Sequence, residues 1–300
     1  MAINIWTGAH ASFPSEWANA GNWNTIGATN RIPTSADHVY FENNAVDCDE
    51  VMDQSAFTLP SLNIDQSYTG SIGTSTAPLQ VGATILNIGQ HSGPGTPAGS
   101  PLINIDLGTP ASTITVSNTG TSADTSRAPV RLKGTHVTNV LTVKKGKVEF
   151  GSDTDDDTSA LATVVVSYDT KVNTDADLFI GKNVALATSL TCFGGDTVIE
   201  CDCPLTTVHA GTMTFTGTWA GATILNTYGG TSTLNSGAAT LTNCNVYGGT
   251  VDFTKSTSAR TVSNAILGAG GVIKFNSSHV TLTAGIKSAD TGEVQTFTGS

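Results

Sequence analysis

Carboxylates crowd one short stretch, Gly151-Ser-Asp-Thr-Asp-Asp-Asp-Thr, in which Asp153, Asp155 and Asp157 have the spacing of oxygen ligands in an Asp-x-Asp-x-Asp calcium loop. The central glycine of such a loop is missing, and Val164 stands where its bidentate glutamate belongs, so a solvated acidic turn is expected. Cys201 and Cys203, two apart on a predicted strand, would share a face, with His209 a turn onward. Thiolate and imidazole suit zinc, but zinc sites generally take four ligands and a buried cysteine commonly serves as a small hydrophobe. Neither a metal nor a cofactor is expected. Glycan cleavage would need two convergent carboxylates, one protonated and one ionised. Glu200 and Asp202 are the candidates for that pair, and a solvated strand face is their alternative reading. Glu149 and Asp252 occupy matching places in Val148-Glu-Phe and Val251-Asp-Phe, but Thr214 and Lys274 hold that place elsewhere, as an outward position would allow. With no Gly-x-Ser-x-Gly, phosphate loop or His-Glu-x-x-His in the chain, the expectation is a non-enzymatic protein.

The elements that would carry these residues repeat. Gly195, Gly211, Gly230, Gly249 and Gly271 mark successive units whose spacing drifts along the chain, each with apolar residues alternating with polar ones. Short strands at a drifting period, joined at glycine corners, predict an all-β fold, a parallel β-helix or β-solenoid. One strand cannot hide its inner face; stacked coils bury their inner faces together and pair their backbones. Gly82-Ala-Thr-Ile-Leu-Asn is repeated far down the chain as Gly221-Ala-Thr-Ile-Leu-Asn, so coil-like structure should begin before residue 100. Gly194-Gly-Asp-Thr-Val also matches half of a calcium-binding nonapeptide, although the other units do not repeat Asp196. Helix is expected only as one turn at residues 14–19, with Ser12 as cap and Pro14 in the first turn.

Charged residues make up 12% of the chain, against roughly 25% in globular proteins. The 24 acidic and 13 basic residues give a net charge of −11, which repels a phosphate backbone and excludes nucleic acid as the expected partner. Arg127, Arg131, Lys133, Lys144, Lys145 and Lys147 form a basic band directly before the acidic stretch. Such a band could meet an acidic neighbour or a second copy; two solvated loops are the plainer reading. Five cysteines cannot all pair within one chain, and the start, Met1-Ala-Ile-Asn-Ile-Trp, has neither a basic nor a continuous apolar segment. Reduced thiols, folding in a cytosol and no membrane insertion are therefore expected.

Residues 1–70 contain Trp6, Trp17 and Trp23, expected as a small β-rich capping or attachment module whose tryptophans form an interface. Residues 71–101 form a transition that includes the Gly/Pro-rich stretch from Gln90 to Pro101, and residues 102–300 form the solenoid. Asn22-Trp23, Pro33, Ala36-Asp37 and Val39 to Phe41 resemble an element that opens many secreted or phage-borne β-helical proteins. The resemblance is confined to the start of the chain, up to Phe41, and implies a cap before a β-helix, not a chemistry. Together these features suggest a structural protein of a phage virion, folded in the host cytoplasm and exposed on the particle, decorating the capsid or forming part of a tail appendage. Its expected partners are other virion proteins such as the major capsid protein and further copies of itself, for example in a trimer. A tailspike that binds or cleaves host polysaccharide and a bacterial surface adhesin are the alternatives.

Overall fold

The structure, a computed structural model, describes residues 1–89, 103–117, 130–151, 158–167, 176–216, 223–235, 240–256, 258–276, 278–288 and 293–297. It is all-β and, apart from the antiparallel pairing of Ile3–Trp6 with Trp23–Thr25, its ladders are parallel, the arrangement of a β-solenoid. Two compact units divide the chain at Phe150 and Gly151. Among the described residues no helix is long and apolar enough to cross a membrane.

In the first unit Ile3–Trp6 pairs with His38–Phe41, and the ladder continues through Asp53–Ile64, Leu79–Ile88, Thr113–Val116 and Val140–Val143. A second column runs from Leu79 and Gln80 through Ile103–Asp106 and Val130–Lys133 to Gly146–Phe150. Coil stacking is thus already established around residue 60, within the segment read as a cap. The repeated Ile-Leu-Asn takes the same pose twice: Leu86 and Leu225 are buried, while Asn87 and Asn226 turn outward and join amide ladders with Asn63 and Asn245.

The second unit has the same plan. One column is Ser159–Val166, Val184–Cys192, Leu205–Val208, Ile224–Thr227, Leu241–Val246, Arg260–Leu267 and Ile286–Ser288. The other is Ala176–Ile180, Asp196–Ile199, Thr212–Phe215, Thr231–Leu234, Gly249–Asp252, Gly271–Asn276 and Glu293–Phe297. Period 2 sends Leu190, Leu225, Phe215, Leu234, Val251 and Ile273 inward, each contributing roughly 1.5–3 kcal/mol by leaving water.

The corner between the columns sets the step of the coil. Gly230 has φ +71°, and a Cβ there would stand 2.3 Å from the Gly211 carbonyl oxygen; Gly211 has the same relation to Gly195. Those carbonyls accept the N–H groups of the next coil, Thr231 N to Gly211 O at 2.9 Å and Thr212 N to Gly195 O at 2.8 Å. In the fifth unit the left-handed residue is Gly270 rather than the predicted marker Gly271.

Residues 14–19 are not helical. The His10 imidazole Nδ1 accepts the N–H groups of Ser12 and Phe13, which holds the loop before them, and Glu16 makes a parallel bridge to Glu50. Among the described residues a short 3-10 turn forms at Ala20–Asn22, capped by the Asn19 side chain. Backbone pairing to a neighbouring strand therefore outcompetes the local turn signal of Pro14.

Gly230→Ala should lower stability by about 3 kcal/mol, because it combines left-handed strain with a backbone clash. Gly285→Ala, at φ +70° with open space around it, should cost only about 1–2 kcal/mol. Urea unfolding of the two variants checks the difference; equal costs would remove the inter-coil contact as the cause.

Candidate functional site

In the first strand column of the second unit, the residue after each of Val184–Cys192, Leu205–Val208, Ile224–Thr227 and Leu241–Val246 stands at a corner and is exposed. In four consecutive coils that residue is aromatic: Phe193, His209, Tyr228 and Tyr247. Their rings stack in sequence, with centroids 4.7, 5.1 and 5.0 Å apart and planes 7°, 9° and 20° from parallel. Parallel pairing fixes the spacing, since each ring's Cα sits one coil above the last. Offset stacking adds about 0.5–1.5 kcal/mol per pair. Phe193 is 42% exposed, Tyr228 50% and Tyr247 41%, and His209 is exposed as well. Sequence reading passed over this ridge, although an aromatic followed by Gly-Gly or Ala-Gly, recurring in step with the glycine markers, was its signal.

The ridge separates the proposed metal trio. Cys201 and Cys203 are buried in the corner between Asp196–Ile199 and Leu205–Val208, not on a strand, while His209 lies outside between Phe193 and Tyr228. No group of three metal-ligating side chains occurs among the described residues. Glu200 and Asp202 lie on the outer side of the same corner, Asp202 exposed and Glu200 half-buried, with the Thr216 hydroxyl donating to Glu200 Oε1 at 3.4 Å. Thr214, Thr233, Asp252 and Lys274 do share one outward ladder position. Asp252 there accepts from the Thr254 N–H and hydroxyl.

Compared with known proteins, the chain matches no family model, no curated protein and no solved structure.

Asp153, Asp155, Asp156, Asp157, Arg127 and the stretch from Gln90 to Pro101 lie outside the described residues. Within the basic band, Arg131 faces Glu149 at 3.4 Å and Lys133 faces Asp106 at 3.4 Å. Lys145 and Lys147 are half-buried and Lys144 is exposed. At least part of the band is therefore satisfied within its own unit.

Trp6, Trp17 and Trp23 are 1%, 0% and 0% exposed, so they offer no surface to a partner. With Phe41 they form a cluster with ring centroids 4.7–6.1 Å apart, edge-to-face except where Phe41 tilts against Trp6 and Trp17, and Tyr68 extends it. Residues between Asn22 and Phe41 support this cluster. Asn22 accepts from His10 N–H at 2.9 Å and donates to the Phe13 and Glu16 carbonyls, and Trp23 Nε1 donates to Trp17 O at 2.8 Å. Asp37, fully buried, accepts from Arg31, from the Thr34 N–H and hydroxyl, and from Ala2 N–H. Burial alone would push its carboxyl up, but those donors outweigh it and hold Asp37 well below the usual carboxylate range. Beside the cluster a shallow depression of about 380 Å³ is lined by Ile5, Trp6, Thr7, Glu42, Asn43 and Asn44.

All five cysteines are free and buried. Burial pushes the Cys203 thiol up to about 11 and Cys244 up to about 12, and it raises Cys48, Cys192 and Cys201 too. A disulfide-exchange reagent should therefore titrate few or no thiols in the native protein and five after denaturation; rapid native reaction of two or more would contradict this packing.

Asp37→Asn should destabilise the first unit by about 2–4 kcal/mol, leaving the Arg31 charge without its counterion. Because the Asp37 pKa is depressed, its contribution is present above about pH 4 and fades as pH falls below the unfolded value. Denaturant melts from pH 7 to 2 should show wild type losing a growing part of this increment below about pH 4 while Asp37→Asn changes less. Parallel pH profiles would assign acid sensitivity elsewhere.

Proposed function

We propose that this chain is a non-enzymatic structural protein of a phage particle, displayed on its surface as a capsid decoration or as part of a tail appendage. The observation that carries the reading is the cap. Five residues of the element that resembles the opening of phage-borne β-helical proteins are engaged in closing the first coils: Asn22 ties down the loop before it, Trp23, Val39 and Phe41 are buried, and Asp37 anchors the start of Ile3–Trp6. A segment committed to closing a solenoid leaves the outward faces for contact. Much of those faces is Thr and Asn ladder, with charge at scattered positions such as Asp252 and Lys274, a surface suited to docking on a protein lattice. Five buried free thiols agree with folding in the reducing host cytoplasm before assembly. The partners in this reading are the major capsid protein or tail proteins, together with further copies of the chain.

Quantitative mass spectrometry of gradient-purified particles should find this polypeptide in a fixed integer ratio to the major capsid protein or a tail protein. Particles that lack it would overturn the proposal. Electron cryo-microscopy of the same particles then distinguishes capsid from tail.

A further inference from the structure

The ridge of Phe193, His209, Tyr228 and Tyr247 leaves four aromatic side chains in water at a place where Thr or Asn would satisfy the fold equally well. Its geometry restricts what can cover it. The rings lie face to face, so neighbours occupy the faces between them and mainly edges and the two tyrosine hydroxyls turn outward. A sugar ring stacks on an aromatic face, and the interior of the ridge has none to offer. A partner must instead meet edges at intervals of 4.7–5.1 Å along a line. That interval is the strand spacing of a parallel β-stack, and a second stack of the same kind repeats at the same interval.

Charge narrows the choice further. On one flank stand Gly194, Ala210, Gly229 and Gly248, small enough for close approach; on the other are Thr191, Thr207, Asn226 and Asn245. Neither flank holds a charged residue. In a chain of net charge −11 this band is a place where two copies can approach without like-charge repulsion across the contact.

We propose that the ridge is the contact between copies of this chain, the ridge of one copy lying along the Thr/Asn flank of the next with the two axes parallel. The Tyr228 and Tyr247 hydroxyls then meet the amide ladder of Asn226 and Asn245 on the neighbouring copy. Four half-exposed rings cover less than the roughly 800 Å² per partner of a standard interface, so they form its apolar centre and the flanks supply the rim. The same operation repeated around an axis closes a ring of copies, as in a trimer. The inference does not depend on where the protein works, because the particle assignment rests on the cap.

Light scattering of the full chain after gel filtration should give an integer multiple of the 30.7 kDa monomer for wild type. Tyr228→Asp, which places carboxylates at the centre of the contact, should reduce the mass to that of the monomer with an unchanged β circular-dichroism spectrum. Thr214→Asp, outward in the other strand column, should keep the multiple. Tyr228→Cys gives a measurement independent of that variant's folding. With the native thiols buried, mild oxidation of an equimolar, co-refolded mixture of Tyr228→Cys and Asn226→Cys should link position 228 of one copy to position 226 of the next, in dimers that a reductant dissolves. Monomeric wild type at high micromolar concentration overturns the inference, as does an oligomer that survives Tyr228→Asp and forms no cross-link between positions 228 and 226. A monomer that binds host polysaccharide and loses binding in Tyr228→Ala overturns it too, in favour of a glycan occupant.

Discussion

The coils from Gly195 to Gly249 depend on one contact, the seating of each corner glycine on the carbonyl of the corner below. Gly211 on Gly195 and Gly230 on Gly211 leave no room for a Cβ, and the next residue's N–H takes up the same carbonyl. This fixes the rise of the coil at the spacing of hydrogen-bonded strands, roughly 4.8 Å. The inner residues then fall into columns that exclude water, and the outer ones into ladders of like with like: amide on amide at Asn226 and Asn245, ring on ring from Phe193 to Tyr247. A wider step would break the backbone pairing and the ring stack together.

The repeat was legible because the corner demands a specific residue. The spacings of the glycine markers reappear as ladder registers: Asp196 with Thr212, Thr212 with Thr231, Thr231 with Thr250, and Gly249 with Gly271. Side-chain direction was legible only within a strand. Cys203 and His209 are an even number of positions apart and would share a face on one continuous strand, but the chain bends at Pro204 between them and the alternation restarts with Thr206 and Val208 inward. Counting by twos across that bend put a buried thiol and an exposed imidazole on one side. The tryptophans were ambiguous for another reason. Aromatic side chains serve both cores and interfaces, and only the fold distinguishes Trp23 in a closed cluster from Tyr228 on a surface.

Electrostatics plays a small part outside the cap, and this follows from composition. A solenoid with few charges holds its outer surface together with hydroxyl and amide ladders, whose strength does not fall with salt as that of surface ion pairs does. The cap is the exception. There the buried Asp37 carboxylate collects donors from Ala2, Arg31 and Thr34, tying the loop from Arg31 to Thr34 to the paired strands Ile3–Trp6 and His38–Phe41.

The corner contact also imposes an order in time. A coil closes on its predecessor after roughly 20 residues, so each closure encloses a short loop and costs little chain entropy. A new coil has only the preceding one to pair with, and within each unit that coil has already left the ribosome. Assembly within a unit can therefore keep pace with synthesis, and the row of rings lengthens by one aromatic with each coil from Phe193 to Tyr247.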